Sequence, residues 1–318
     1  MAWCRDNGLN PRQAGLPLLT RFLLYLFRER GVSVRTIKNY QSALAFYWRK
    51  IVNYEVPSDD RTLADLYKSM TRERPIPTRH IVDWDIRLVL AYFQSPRFAD
   101  WQSLSDKELT LKTVFLLALA SGKRRSELHA LSKDIRWIKG SERGMELKPV
   151  PSFVSKTQLA SQGLGSLRPF IIPALDQIAG DDAQERLLCP IRCMKYYLKR
   201  VEAYRSTDQK RLIISYRRGM VKDITKQTIS CYIKEAILLA YQGSDNALVE
   251  GLPLIKAHSI RHVATSLNAL KFYSLDDVLK AGAWTSPNVF LSHYVQDFSV
   301  EALTNLSRLN FVVAGSKF

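Results

Sequence analysis

The chain has 318 residues, about twice the ~150 expected of one domain, so two domains are expected. A hydrophobic share of 46% with 10% aromatics excludes wholesale disorder, and the longest apolar run, Val114 to Ala120, is far short of the ~20 residues that span a bilayer. With 47 Lys and Arg against 30 Asp and Glu, a formal charge of +17 points to a polyanionic partner, nucleic acid before an anionic membrane surface.

In chain order, Leu19, Phe22, Leu23, Leu26 and Phe27 recur at helical spacing, and Gly31 supplies a stop. Ser33 then caps a second helix with an apolar face of Ile37, Tyr40, Leu44, Tyr47, Trp48 and Ile51 and a polar face of Arg35, Lys38, Asn39, Ser42 and Arg49. Leu63, Leu66, Tyr67 and Met70 mark a third helix. The stretch from Thr71 to His80 has two prolines and little to bury, which places a domain boundary there. The expected division is a helical domain over 1–75, a linker over 76–82 and a second domain over 83–318.

Beyond the linker, Trp84 to Phe93 predicts a helix, and Ser105 with Glu108 forms a capping box ahead of the apolar helix through Val114 to Ala120. Ile135 to Ile138, Ser152 to Val154 and Pro169 to Ile172 then predict a small antiparallel sheet of three strands. Helices return from Pro190 to about Tyr204, from Thr225 to Tyr241 and around His258 to Leu270. The fold class is mainly α with a small antiparallel β-sheet.

Several chemistries find no support. Cys4, Cys189, Cys193 and Cys231 are too few and scattered for a disulfide framework and lack a second pair at finger spacing, so the chain reads as intracellular with no zinc site. There is no P-loop, no H-E-x-x-H and no obvious carboxylate cluster, so no metal and no cofactor are expected. A nucleic-acid enzyme built this way must use cationic side chains.

Three stretches offer them. Gly122-Lys123-Arg124-Arg125-Ser126-Glu127-Leu128 follows the apolar helix. His258 and Arg261, three apart, share a helical face and can address one anion. The third runs from Gly282 through Trp284 to Tyr294. Taken singly, each has an ordinary reading: a solvated patch, a core histidine, a core tyrosine.

Together, in this order, they resemble the tyrosine recombinase (phage integrase) superfamily, over nearly the whole chain. The family's G-x-R-x-S-E-L is matched by Gly122, Arg124, Ser126, Glu127 and Leu128, its hairpin S-K-T by Ser155, Lys156 and Thr157, and its H-x-x-R by His258 and Arg261. Its His-or-Trp position is matched by Trp284 and its nucleophile by Tyr294. Tryptophan at 284, the W-T-S-x-x-x-F that it begins, and ten residues from Trp284 to Tyr294, where many bacterial and phage relatives have nine, look most like recombinases of DIRS-type retroelements.

The resemblance implies an N-terminal DNA-clamping (SAM-like) domain, a catalytic domain and cleavage without metal or ATP. Arg124 and Arg261 would clamp the phosphate, His258 exchange protons and Lys156 protonate the leaving oxygen. Trp284 would pack under the phosphate, Tyr294 form a 3′-phosphotyrosyl bond and Glu127 orient Arg124. Expected DNA contacts are Arg35, Lys38, Arg49, Lys123 and Arg125. The implied partners are double-stranded DNA and further copies of the chain, as dimer or tetramer, with no membrane; the implied compartment is the nucleus. Beyond Tyr294, Val300, Leu303, Leu306 and Leu309 suit a short apolar helix that docks on a neighbouring protomer or folds back. A non-cleaving DNA-binding protein and a type IB topoisomerase remain as alternatives.

Overall fold

The structure, a computed structural model, describes residues 2–57, 59–75, 84–138, 144–154, 169–174, 183–217, 220–242 and 255–271. It divides into two units, Met1–His80 and Ile81–Phe318.

The first unit holds α1 (Ala2–Asp6), α2 (Leu16–Arg28), α3 (Val34–Ile51) and α4 (Arg61–Glu73). Leu19, Leu23, Leu26 and Phe27 of α2 are buried against Val34, Ile37 and Trp48 of α3 and Leu63 and Met70 of α4. Gly31 takes the left-handed conformation, φ +62°, where a Cβ would be strained, and so separates α2 from α3. Ser33 and Asp60 accept the Thr36 and Leu63 amides and fix where α3 and α4 begin. Arg74 then donates to the carbonyls of Phe27 and Val32 and lies 4.2 Å from the Phe27 ring centre, so one side chain ties the end of α4 to the end of α2.

The apolar face of α3 is narrower than its sequence predicts. Tyr40 and Ile51 are exposed. Tyr40 lies to the flank with its ring edge-on to Phe22, and Ile51 sits in the final turn, past the line of Val34, Ile37 and Trp48 that meets α2 and α4. α4 continues through Glu73 before Pro75 ends it; the proposed linker 76–82 lies outside the described residues.

The second unit is built around α6 (Asp106–Ser121), with α5 (Ile86–Gln94) and a 3-10 turn (Pro96–Phe98) before it. Every residue of α6 from Leu109 to Ser121 is buried, Lys112 included, so this helix is enclosed by the rest of the unit on all sides. Its capping box is formed, with Glu108 N donating to Ser105 Oγ and Ser105 N to Glu108 Oε2. Next come α7 (Arg125–His129), α8 (Ala183–Leu188), α9 (Pro190–Glu202), α10 (Lys226–Gln242) and α11 (Ser259–Lys271). α9, α10 and α11 all pack on α6.

Strands β1 (Arg136–Trp137), β2 (Gly144–Leu147) and β3 (Phe170–Pro173) form an antiparallel sheet in that order, with Trp137 opposite Met145 and Leu147 opposite Phe170. The predicted middle strand, Ser152 to Val154, is instead turn and coil with Val154 exposed. The true one, Gly144-Met145-Glu146-Leu147, sends Met145 and Leu147 to the core while Glu146 pairs with Arg136. A glycine and a glutamate hid that alternation. A second, two-stranded sheet of β4 (Ile214–Arg217) and β5 (Met220–Asp223) was not anticipated. Its strands mix apolar and charged residues over only four positions each.

Candidate active site

Two turns of chain, far apart in sequence, meet at one buried carboxylate. The first follows α6. Gly122 caps that helix at φ +56°, and a Cβ there would come 3.4 Å from Thr265 on α11, so the turn lies directly on α11. Lys123 comes next, and Arg124 is the N-cap of α7. The Arg124 amide donates to Glu127 Oε2 at 2.7 Å, and its guanidinium donates to Glu127 Oε1 at 2.9 Å. The short helix and the ion pair fix each other.

The second turn opens α11. Arg261 lies on the first turn of that helix, its side chain 1% exposed, with Nη1 3.7 Å from Glu127 Oε2. Burying an isolated guanidinium costs several kcal/mol in effective terms, so its carboxylate partner, itself 3% exposed, is required. Trp84 Nε1 donates to Ser259 Oγ at 2.7 Å and Ser259 Oγ to the Lys256 carbonyl at 2.8 Å. These bonds hold the start of α11, and hence His258 and Arg261, in place. Nothing in the sequence around Trp84 signals that role.

His258 precedes α11, accepts the Arg261 amide on its carbonyl and stacks edge-on with His262. Its imidazole is pushed down to about 4, first by burial and then by the positive charges of His262, Arg261, Arg124 and Arg125. The residue is still exposed on one side, so water screens those charges. The direction, toward a neutral ring able to accept a proton, is what the site uses.

The electrostatics sum simply. Arg124 and Arg261 share the single carboxylate of Glu127, so the cluster keeps an uncompensated positive charge. Lys123 adds to it, its ammonium 4.8 Å from the centre of the Phe170 ring on β3. Such an arrangement can hold an oxyanion between rigid donors.

The structure therefore brings together Arg124, Glu127, His258, Arg261 and Lys123. Arg125 points elsewhere, donating to Ser230 on α10. Arg35, Lys38 and Arg49 are exposed on α3, in the other unit, and the Lys38 ammonium lies 5.0 Å from the centre of the Tyr67 ring. Lys156, Trp284 and Tyr294 lie outside the described residues, as does the segment beyond Tyr294. Among the described residues, no three His, Cys, Asp or Glu side chains stand where they would hold a metal ion.

No protein-family model matches the chain, and no curated protein sequence does. Solved structures do. The chain superposes on the XerH site-specific recombinase bound to palindromic difH substrate, a post-cleavage complex, with a TM-score of 0.51 and 17% identity, over 87% of this chain and 68% of that one. The pre-cleavage XerH complex with difH gives a TM-score of 0.51 and 18% identity, over 93% and 71%. At such identities the likeness is one of fold. It is the tyrosine-recombinase fold over most of the chain, mainly helical with small antiparallel sheets.

Proposed function

We propose that this chain is a site-specific DNA strand transferase that cleaves and rejoins DNA through a covalent 3′-phosphotyrosyl intermediate. The observation that carries the reading is the shared carboxylate: Arg124 and Arg261, from two elements 137 positions apart, converge on Glu127 with charge to spare and a neutral His258 beside them. A phosphodiester gathers negative charge on its non-bridging oxygens as it is attacked, and two guanidiniums held by one carboxylate, Arg261 buried and Arg124 partly so, are suited to hold it.

In this mechanism the Tyr294 phenol attacks phosphorus, and its proton passes to His258. The P–O5′ bond breaks, and the 3′-phosphate stays on the tyrosine. The ester energy is kept, so religation by the 5′-hydroxyl needs no ATP. Trp284 packs beneath the phosphate, and Lys156 lies in the segment between the paired strands β2 and β3. The exposed cations of α3 bind the duplex backbone. Cleavage and rejoining of two duplexes requires several copies of the chain, so it works as a dimer or tetramer on DNA. The tryptophan at 284 and the ten-residue step to Tyr294 support a kinship with DIRS-type retroelement recombinases, and on that reading it acts in the nucleus.

The test uses a duplex selected by the chain from a random pool, nicked so that the 5′-leaving strand diffuses away. In excess EDTA, denaturing gels should show a protein–DNA adduct on a 3′-phosphate. Absence of any adduct on the selected duplex would leave a DNA-binding protein without cleavage. Relaxation of supercoiled plasmid by a lone protomer would favour a type IB topoisomerase.

A further inference from the structure

The cations of α3 surround a residue of another kind. Phe46 is 59% exposed. It lies nine residues from Ile37, about two and a half helical turns. It therefore points away from the side of α3, marked by Val34, Ile37 and Trp48, that meets α2 and α4. On its own side the helix carries Arg35, Asn39 and Ser42 before it and Arg49 and Lys50 after it, at separations of eleven, seven, four, three and four. All five are exposed, and α3 has no acidic residue. Three residues on and four residues on fall to opposite sides of a helical line, so Arg49 and Lys50 flank the ring, and Lys38 lies on the Arg49 side.

A single exposed apolar side chain is ordinary. One set between two flanks of cations fits a surface with charged edges and an apolar point between them. A row of phosphates alone would leave the ring in water, and an apolar protein patch would leave the cations without counter-charge. The major groove of DNA has both features. It is about 12 Å wide, which admits a helix about 10–12 Å across with its side chains. Phosphates line its rims, and the C5-methyl of thymine is the apolar group on its floor.

We propose that Phe46 is a specificity-determining residue that reads the C5-methyl of a thymine while α3 lies in the major groove. Lys38 and Arg49 then reach the phosphates of one strand and Lys50 those of the other. The inference rests on the DNA reading above and adds to it a choice of base, which cations on phosphates do not make.

Deoxyuridine lacks that methyl and pairs as thymine does, so it isolates the contact. In the duplex that the full chain selects from a random pool, each thymine is replaced in turn by deoxyuridine and affinity is measured at fixed salt. At one thymine position wild type should lose about 4-fold, the worth of one buried methyl. Phe46→Ala should bind the two duplexes equally, and its urea midpoint should match wild type because the ring lies outside the core. Tyr40→Ala removes another exposed aromatic of α3, one that lies to the flank against Phe22, and should keep the wild-type difference. Wild type indifferent to every replacement overturns the proposal. So does a difference kept by Phe46→Ala, or one lost equally in Tyr40→Ala. If Phe46→Ala binds every duplex as wild type does but sediments as fewer associated copies, the face is a contact between copies and the proposal fails. A wild type that binds no duplex instead sinks the DNA reading itself.

Discussion

The chain uses positive charge in two ways, and α3 and the Glu127 cluster are the clearest contrast. α3 carries Arg35, Lys38, Arg49 and Lys50 with no acidic residue, all exposed. Its charges face solvent, and any one can be lost at little cost to folding. Arg124 and Arg261 are 17% and 1% exposed and share one carboxylate. There the same chemistry is rigid, desolvated and coupled to the fold. Exposed cations attract a polyanion from any direction; buried ones address one atom position.

If that contrast is right, the largest separation appears in catalysis. Arg261→Lys keeps the charge but loses the planar fork, and cleavage should fall about 10²–10³-fold while gel-shift affinity stays near wild type. Affinity and cleavage falling together would mean that Arg261 acts as the α3 cations do.

Stability gives the next separation. Glu127→Gln leaves the buried Arg261 guanidinium without its counter-charge, and urea unfolding should show a loss of about 3 kcal/mol. Arg49→Ala on α3 should stay within about 0.5 kcal/mol of wild type. Equal effects would erase the distinction.

Lys112 sharpens it from a third direction. It is a fully buried lysine on α6 whose ammonium donates to the Phe93 carbonyl at 2.9 Å and lies over the rings of Trp101, Phe98 and Phe93. Held by dipoles and rings, it loses proton affinity: burial pushes it from 10.5 to about 8, with Cys193 opposing. Between those values the unfolded chain binds the extra proton, so stability rises with pH. The contribution is complete above about 10.5, is lost as pH falls to about 8 and amounts to about 3 kcal/mol. The difference in unfolding free energy between wild type and Lys112→Met should change by that amount across the window. A flat difference contradicts the assignment.

The smallest effect belongs to one exposed charge. Arg49→Ala should reduce the slope of log affinity against log salt by about 1, with little change in cleavage at saturating DNA. An unchanged slope would remove α3 from the DNA-binding surface.

Much of this was legible because local signals agreed. Ser33 and Ser105 are capping residues at the starts of helices, and the unbroken apolar run Val114 to Ala120 of α6 belongs in the core. Where the sequence misled, packing geometry decided. Tyr40 and Ile51 have the right residue type on α3, but α2 and α4 reach only a narrow stripe of it. β2 was missed because Gly144 and Glu146 interrupt its apolar run, and Ser152 to Val154 looked more strand-like than they are. Of the site, the spacing of Arg124 to Glu127 and of His258 to Arg261 was readable within single turns. That the two turns meet at Glu127, that Trp84 holds one of them and that Lys123 lies on Phe170 depend on pairings 134, 175 and 47 positions apart along the chain. No local pattern encodes them.

The central claim is that the buried cluster serves one nucleophile, Tyr294. Tyr294→Phe removes a single oxygen, so folding and DNA affinity should match wild type. On the nicked selected duplex, wild type should accumulate a covalent adduct on the 3′-phosphate, and the phenylalanine variant should form none. An adduct formed by the variant, or none formed by the wild type, would contradict the account.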